Sequence, residues 1–200
     1  ATVALYREEF EKIGLNPLIG YCLKSTSDAE YSNIFDFCYL FEPRLFFNFG
    51  GIRKSKLVHS LYRKIMHAVP YAQAERWSAM VGKLLNKVSK TYSFKDFLEY
   101  FSSSERNELI SKLACPTQNI LPSGWNNAPR YRKQFTELEV PDSNQFAAML
   151  GNALGNTRCA SDIPLLCNAW NEWSEGAAIE PCHYLGDRLL KSYLSVEEDR

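Results

Sequence analysis

Apolar positions along this chain follow two different spacings. From Leu5 to Ile13 they recur at helical intervals, and the run stops at Gly14, a residue that ends helices cheaply in the left-handed conformation. Four later stretches are short and largely apolar: Pro17 to Leu23 (PLIGYCL), Asn33 to Phe41 (NIFDFCYLF), Thr117 to Leu121 (TQNIL) and Ile163 to Ala169 (IPLLCNA). Runs of that kind predict buried strands. Between the third and fourth, Asp142 or Ser143 can cap a helix reaching Leu154, with Gly155 placed to end it, and Leu185 to Tyr193 returns to helical spacing. Buried strands alternating with amphipathic helices predict an α/β fold, a parallel sheet covered by helices, and not a sandwich. Four strands would make half of a (β/α)8 barrel, which needs eight strands and about 250 residues.

The stretch from Gly50 to Lys112 interrupts that alternation. Leu57, Leu61 and Ile65 trace one apolar helical stripe and Trp77, Val81, Leu84 and Val88 a second, while Ser93 and Asp96 mark a helix start for FKDFLEYF. Charge sets the same stretch apart. It holds 12 Lys and Arg against 5 Asp and Glu, whereas the rest of the chain holds 11 against 18, so the balanced total of 23 and 23 conceals two opposite parts. The plain reading is a basic helical insertion, 50–112, packed on the barrel with a solvated face. The sharper one is a surface, 53–90, in peripheral contact with anionic membrane lipid or with a pyrophosphate-linked glycan.

Composition narrows the class. With 200 residues, 46% apolar and 14% aromatic, the chain is globular and long enough for one cored domain, and zero net charge argues against nucleic acid as a partner. The first residue, Ala1, opens directly into a helical pattern, which reads as a fragment of a longer chain. Apolar runs are strand-sized, so a soluble protein is expected. Six scattered cysteines (Cys22, Cys38, Cys115, Cys159, Cys167, Cys182) without a C-x-x-C favour buried, reduced thiols and a cytoplasmic protein. His59 and His67 fall on the basic helices, and His183 has no second ligand suitably spaced, so neither a metal nor any other cofactor is expected.

Chemistry concentrates after the fourth strand, in Asn168 to Pro181 (NAWNEWSEGAAIEP). Strand C-termini face the active site in a barrel, so Glu172 and Glu175 could project into one cleft there. Paired carboxylates of unequal pKa suit glycosidic chemistry: one is protonated to assist the leaving oxygen, the other ionised. Trp170 and Trp173 offer faces for sugar rings, and Asn168 and Asn171 offer donors and acceptors for hydroxyls. The bland alternative is a surface loop with solvated glutamates and core tryptophans. Gly176 weighs against it, since a glycine directly after the second Glu suggests a constrained turn. A second cluster, Gly124 to Arg130 (GWNNAPR), comes after the third strand and places Trp125, Asn126, Asn127 and Arg130 on the same face. Arg130 either holds an anionic group of the ligand or pairs with a glutamate and sets its pKa, the second role being favoured. At a further strand end, Glu42, Pro43 and Arg44 (FEPR) suit a local salt bridge as well as ligand contact.

NAWNEWSEGAAIEP, preceded by GWNNAPR, resembles the C-terminal half of the glycoside hydrolase family 99-like domain, also called the WbsX family. YREEFEKIGLNPLIGY and IFDFCYLFEP resemble the approach to its fifth strand and its sixth strand. The resemblance implies a TIM-type (β/α)8 barrel of which this chain is the C-terminal half, completed by an N-terminal half or a partner chain. It implies a carbohydrate-active enzyme, a glycoside hydrolase or glycosyltransferase acting on bacterial surface polysaccharide, O-antigen or capsule, or on a lipid-linked oligosaccharide precursor. By that match Glu172 and Glu175 are the catalytic pair of a retaining mechanism. Glu172 accepts the proton of the sugar 2-hydroxyl, which attacks its own anomeric carbon, and Glu175 is acid and then base. Trp125, Asn126, Asn127, Arg130, Asn168, Trp170, Asn171, Trp173 and Glu180 are expected to bind substrate. A non-catalytic carbohydrate-binding protein, or an inactive barrel fragment, is the alternative.

Overall fold

A computed structural model describes residues 2–49, 90–131, 135–155 and 163–198. Helix α1 (Thr2–Glu11) ends short of Gly14, whose φ of +76° confirms the left-handed stop. Strand β1 (Gly20–Leu23) comes next, then a 3₁₀ segment (Thr26–Ile34) and β2 (Phe37–Phe41). The second strand therefore starts four residues later than the apolar run suggests. Its first positions go to the turn: Ser32 Oγ donates to Ala29 O at 2.8 Å, and Asp36 Oδ2 accepts from Ile19 N at 2.7 Å and from Arg7 Nη2 at 2.8 Å. Helix α2 (Glu42–Phe49) begins where β2 ends.

The basic surface expected over 53–90, and His59 and His67 with it, lies outside the described residues except at Lys90. Strand β3 (Lys90–Tyr92) leads into two helices, α3 (Phe94–Phe101) and α4 (Ser104–Ser111). The expected start of α3 is formed: Ser93 Oγ accepts from Asp96 N at 3.1 Å, and Ser93 N donates to Asp96 Oδ2 at 3.3 Å. Then come β4 (Thr117–Leu121), β5 (Trp125–Asn126), β6 (Thr136–Leu138) and α5 (Ser143–Gly155). The chain closes with β7 (Leu166–Cys167), β8 (Asn171–Glu172), a 3₁₀ turn (Trp173–Glu175), β9 (Ala177–Ala178) and α6 (Arg188–Glu198).

The four strands expected from the apolar runs form one parallel sheet in the order β1-β2-β4-β7, each beside its predecessor. Register puts Leu40 opposite Asn119 and Phe41 opposite Ile120. Alternation along the strands then sends Cys38, Leu40, Asn119 and Leu121 to one face, where all four are fully buried. That face meets Leu45 and Phe46 of α2, Leu109 and Ile110 of α4, and Phe146, Met149 and Leu150 of α5 in two apolar clusters. Phe37, Tyr39, Phe41 and Ile120 on the opposite face are only half-buried. Among the described residues, α2, α4 and α5 pack on one face of this sequentially ordered parallel sheet.

Two features of the core escape the apolar pattern. Phe46 lies at the centre of an aromatic cluster, 5.2 Å from Tyr92 and 5.4 Å from both Phe97 and Tyr100, contacts worth about 0.5–1.5 kcal/mol each beyond their burial. Beside it, Glu42 pairs with Arg106 of α4 and not with Arg44. Arg106 donates from Nε (2.9 Å) and Nη2 (2.5 Å) to Glu42 Oε1, and from Nη2 to Asn119 Oδ1 at 2.5 Å. Both charged side chains are 1% exposed or less. Burial pushes the Glu42 carboxyl up, and the guanidinium beside it pulls the other way. A local pair two residues apart would have left Arg106 buried without a counter-charge.

A second, small sheet, β3-β6-β5, stands beyond the C-terminal end of β4. Tyr92, Leu138 and Trp125 are in register on the face that joins the core. On the other, Glu137 ties the strands together, accepting from Thr91 Oγ1 at 3.2 Å and Asn126 Nδ2 at 2.9 Å.

Candidate functional site

Segments 122–131 and 168–180 leave the C-terminal ends of the adjacent parallel strands β4 and β7, and Asn168 N extends their pairing by donating to Leu121 O at 2.7 Å. The second segment folds as a tight hairpin. Asn171 and Glu172 of β8 pair antiparallel with Ala178 and Ala177 of β9, and Trp170 O accepts from Ile179 N and Glu180 N at 2.9 Å each. Ala177 is fully buried and Ala178 nearly so, which anchors the returning strand. Gly176, at φ +58°, makes the turn, as its place after Glu175 suggests; a Cβ there would also lie 3.4 Å from Asn126 Cβ. Glycine adopts this left-handed backbone most readily, so the turn sets where Glu172 and Glu175 project.

Arg130, on the other loop, connects the two carboxylates. Its Nη1 donates to Glu175 Oε1 at 2.5 Å and its Nη2 to Ser174 Oγ at 3.3 Å, while the Ser174 hydroxyl donates to Glu172 Oε1. One oxygen of each glutamate is thereby held, and the Oε2 of each makes no hydrogen bond among the described residues. The Glu175 side chain is 12% exposed against 54% for Arg130, so the guanidinium covers the carboxylate from the solvent side. Pairing with a glutamate is the role the sequence favours for Arg130. Ser174 carries no signal of its own inside the NEWSE motif, and only the folded turn shows it joining the two acids.

The tryptophans are not core residues. Trp170 is 53% and Trp173 50% exposed, and Trp173 Nε1 donates to Glu180 Oε2 at 3.0 Å, which holds its indole ring in place. Asn171 is exposed and Asn168 half-buried. Asn126 and Asn127 serve their own loop: Asn126 Oδ1 accepts from Ala128 N at 2.8 Å and Asn127 Oδ1 from Thr136 N at 2.7 Å. The structure thus brings Glu172, Glu175, Arg130 and Asn126 together. Trp125 and Asn127 do not join them: side chains alternate along β5, and Trp125, with Asn127 just beyond the strand, lines a cavity on the opposite face from Asn126.

The five described cysteines are unpaired thiols, Cys38 buried and the others half-buried, with Cys159 outside the described residues. Cys115 Sγ donates to Cys38 Sγ at 3.1 Å, and burial first, then that contact, pushes the Cys38 thiol up to about 12. Among the described residues no helix is long and apolar enough to cross a membrane.

An acidic turn with two exposed tryptophans at the C-terminal edge of a parallel sheet suits a carbohydrate ligand, and comparison with known families points to a carbohydrate-active enzyme. The model described as Glycosyltransferase WbsX matches residues 1–193, and the chain belongs to that family. Neither a curated protein nor a solved structure matches it.

Proposed function

We propose that this chain is the site-bearing half of a glycan-processing barrel enzyme, with Glu172 and Glu175 as its paired carboxylates. The observation that carries the reading is the turn itself: two glutamates on one glycine-closed hairpin, each with one oxygen fixed and one without a hydrogen bond among the described residues, flanked by two half-exposed tryptophans. The sequential order of the parallel strands supports completion by further β/α units into a closed barrel.

The resemblance to glycoside hydrolase family 99 supplies the chemical sequence. Glu172 removes the proton of the sugar 2-hydroxyl, O2 forms a bond to the anomeric carbon, and the bond from that carbon to the leaving oxygen breaks. Glu175 delivers its proton to the leaving oxygen through Oε2, since Oε1 is held by Arg130. In the second half Glu175 takes a proton from the incoming hydroxyl, that oxygen opens the epoxide-like intermediate, and Glu172 returns the proton to O2. Water as acceptor gives hydrolysis and a sugar hydroxyl gives transfer. Bacterial surface polysaccharide, or its lipid-linked precursor, is the substrate class that fits a WbsX member.

The test is Glu175→Gln in the full-length protein, assayed on paired glycosides with good and poor leaving groups. Loss of a general acid lowers turnover about 10²–10⁴-fold on the poor leaving group and much less on the good one. Undiminished turnover on both overturns the assignment. Glycan binding by a Glu172→Gln, Glu175→Gln double variant, with no turnover by the parent, would establish a binding protein instead.

A further inference from the structure

Across β5 from the carboxylate turn lies a cavity of about 180 Å³. Trp125, Tyr92, Phe41 and Phe47 form its apolar walls, and two cations, Arg44 of α2 and Lys90 of β3, line it together with Asn127 and Thr136. No acidic side chain among the described residues lines it, and Glu137, the acid of the small sheet, is turned to the other face toward Thr91 and Asn126. Neither Arg44 nor Lys90 has an ion-pair partner among the described residues. An anion in the cavity would be attracted by both cations.

We propose that this cavity binds the anionic group of a saccharide, a phosphate or a carboxylate, on Arg44 and Lys90, with the attached sugar ring against Trp125. Aromatic walls suit the apolar face of a pyranose, and Thr136 with the amide NH2 of Asn127 offers polar partners for its hydroxyls. Size restricts the ligand: sites that bury a drug-sized molecule measure about 300–1,000 Å³, so this one takes a single charged sugar unit. The proposal deepens the glycan-processing reading and rests on it. It assigns a charged-sugar subsite separated from the carboxylate turn by one strand.

Equilibrium binding to the full chain, read by tryptophan fluorescence and calorimetry, tests it. The probes are gluco, galacto and manno hexose 1-phosphates, the matching hexuronates, the neutral hexoses and inorganic phosphate. At least one anionic sugar is expected to bind about tenfold or more tightly than both its neutral counterpart and inorganic phosphate, with affinity falling as salt is raised. The class that binds, phosphate or carboxylate, identifies the anion. Arg44→Gln and Lys90→Gln each weaken that binding by roughly tenfold or more, the loss of a charge-assisted hydrogen bond, with melting temperature as the control for folding. The absence of any anionic preference, or a preference that survives in both variants, overturns the proposal. Anionic-sugar binding retained by a Glu172→Gln, Glu175→Gln double variant supports the subsite whatever that variant does to turnover. Carboxylate-dependent turnover without anionic preference overturns the subsite alone, and anionic-sugar binding by a parent without turnover overturns only the enzyme reading.

Discussion

Arg130 illustrates how much of the site depends on one side chain. Its guanidinium reaches Glu175 and Ser174 with different nitrogens, a two-point contact that a lysine ammonium cannot reproduce. Arg130→Lys is therefore expected to behave like Arg130→Ala. Each lowers kcat by roughly tenfold or more, on the scale of about 1.5–3 kcal/mol for a hydrogen bond to a charged group. KM is expected to change less, because Arg130 positions the carboxylate and is not assigned to the sugar. Full recovery of kcat in Arg130→Lys would show that charge alone matters. The residue types of this site are legible in NEWSE and GWNNAPR. The role of Ser174 is not, nor is the pairing of Glu42 with Arg106, 64 positions away on another helix, for which nothing in the local pattern gives a signal.

At the scale of elements, α1 is fastened to the sheet through one carboxylate. Asp36 Oδ2 accepts from Ile19 N, just ahead of β1, and from Arg7 of α1. These two contacts, the backbone one foremost, hold its carboxyl below its usual range. A lowered folded-state pKa contributes stability that is complete above the ordinary value of about 3.9 and is lost as pH falls past it toward the depressed one. The Ile19 amide should accordingly lose hydrogen-exchange protection below about pH 4, while Asp36→Asn should show reduced protection that no longer depends on pH in that range. An identical pH response in the variant would assign the effect elsewhere. Helices and long strands are readable because caps and apolar spacing are local, as at Ser93 with Asp96 and at Thr117–Leu121. The small β3-β6-β5 sheet is not, since strands of two or three residues carry no periodicity.

For the molecule as a whole, the dominant feature is the sheet face opposite α2, α4 and α5, whose apolar side chains are only half-buried among the described residues. Phe37 and Tyr39 stand on it half-buried, while Cys38 and Leu40 beneath are sealed by helices. Parallel sheets are normally covered on both faces, and a free strand edge is a template for pairing. The 200-residue chain on its own is therefore expected to self-associate, its sedimentation coefficient rising with concentration, and Phe37→Lys or Tyr39→Lys should reduce the effect. A single monomeric species at every concentration would show that the face needs no cover.

By itself the sequence determined the order of the four strands of the main sheet, the family, and which residue types crowd the strand ends, because each of these depends on spacing along the chain. Only the tertiary structure decided that Arg130 joins the two carboxylates, that Trp125 and Asn127 turn away from Asn126 into a separate cavity, and that Glu42 is neutralised from α4. Those outcomes depend on which residues distant in sequence meet in space, and a charge or an amide finds its partner by geometry that its neighbours in the chain do not encode.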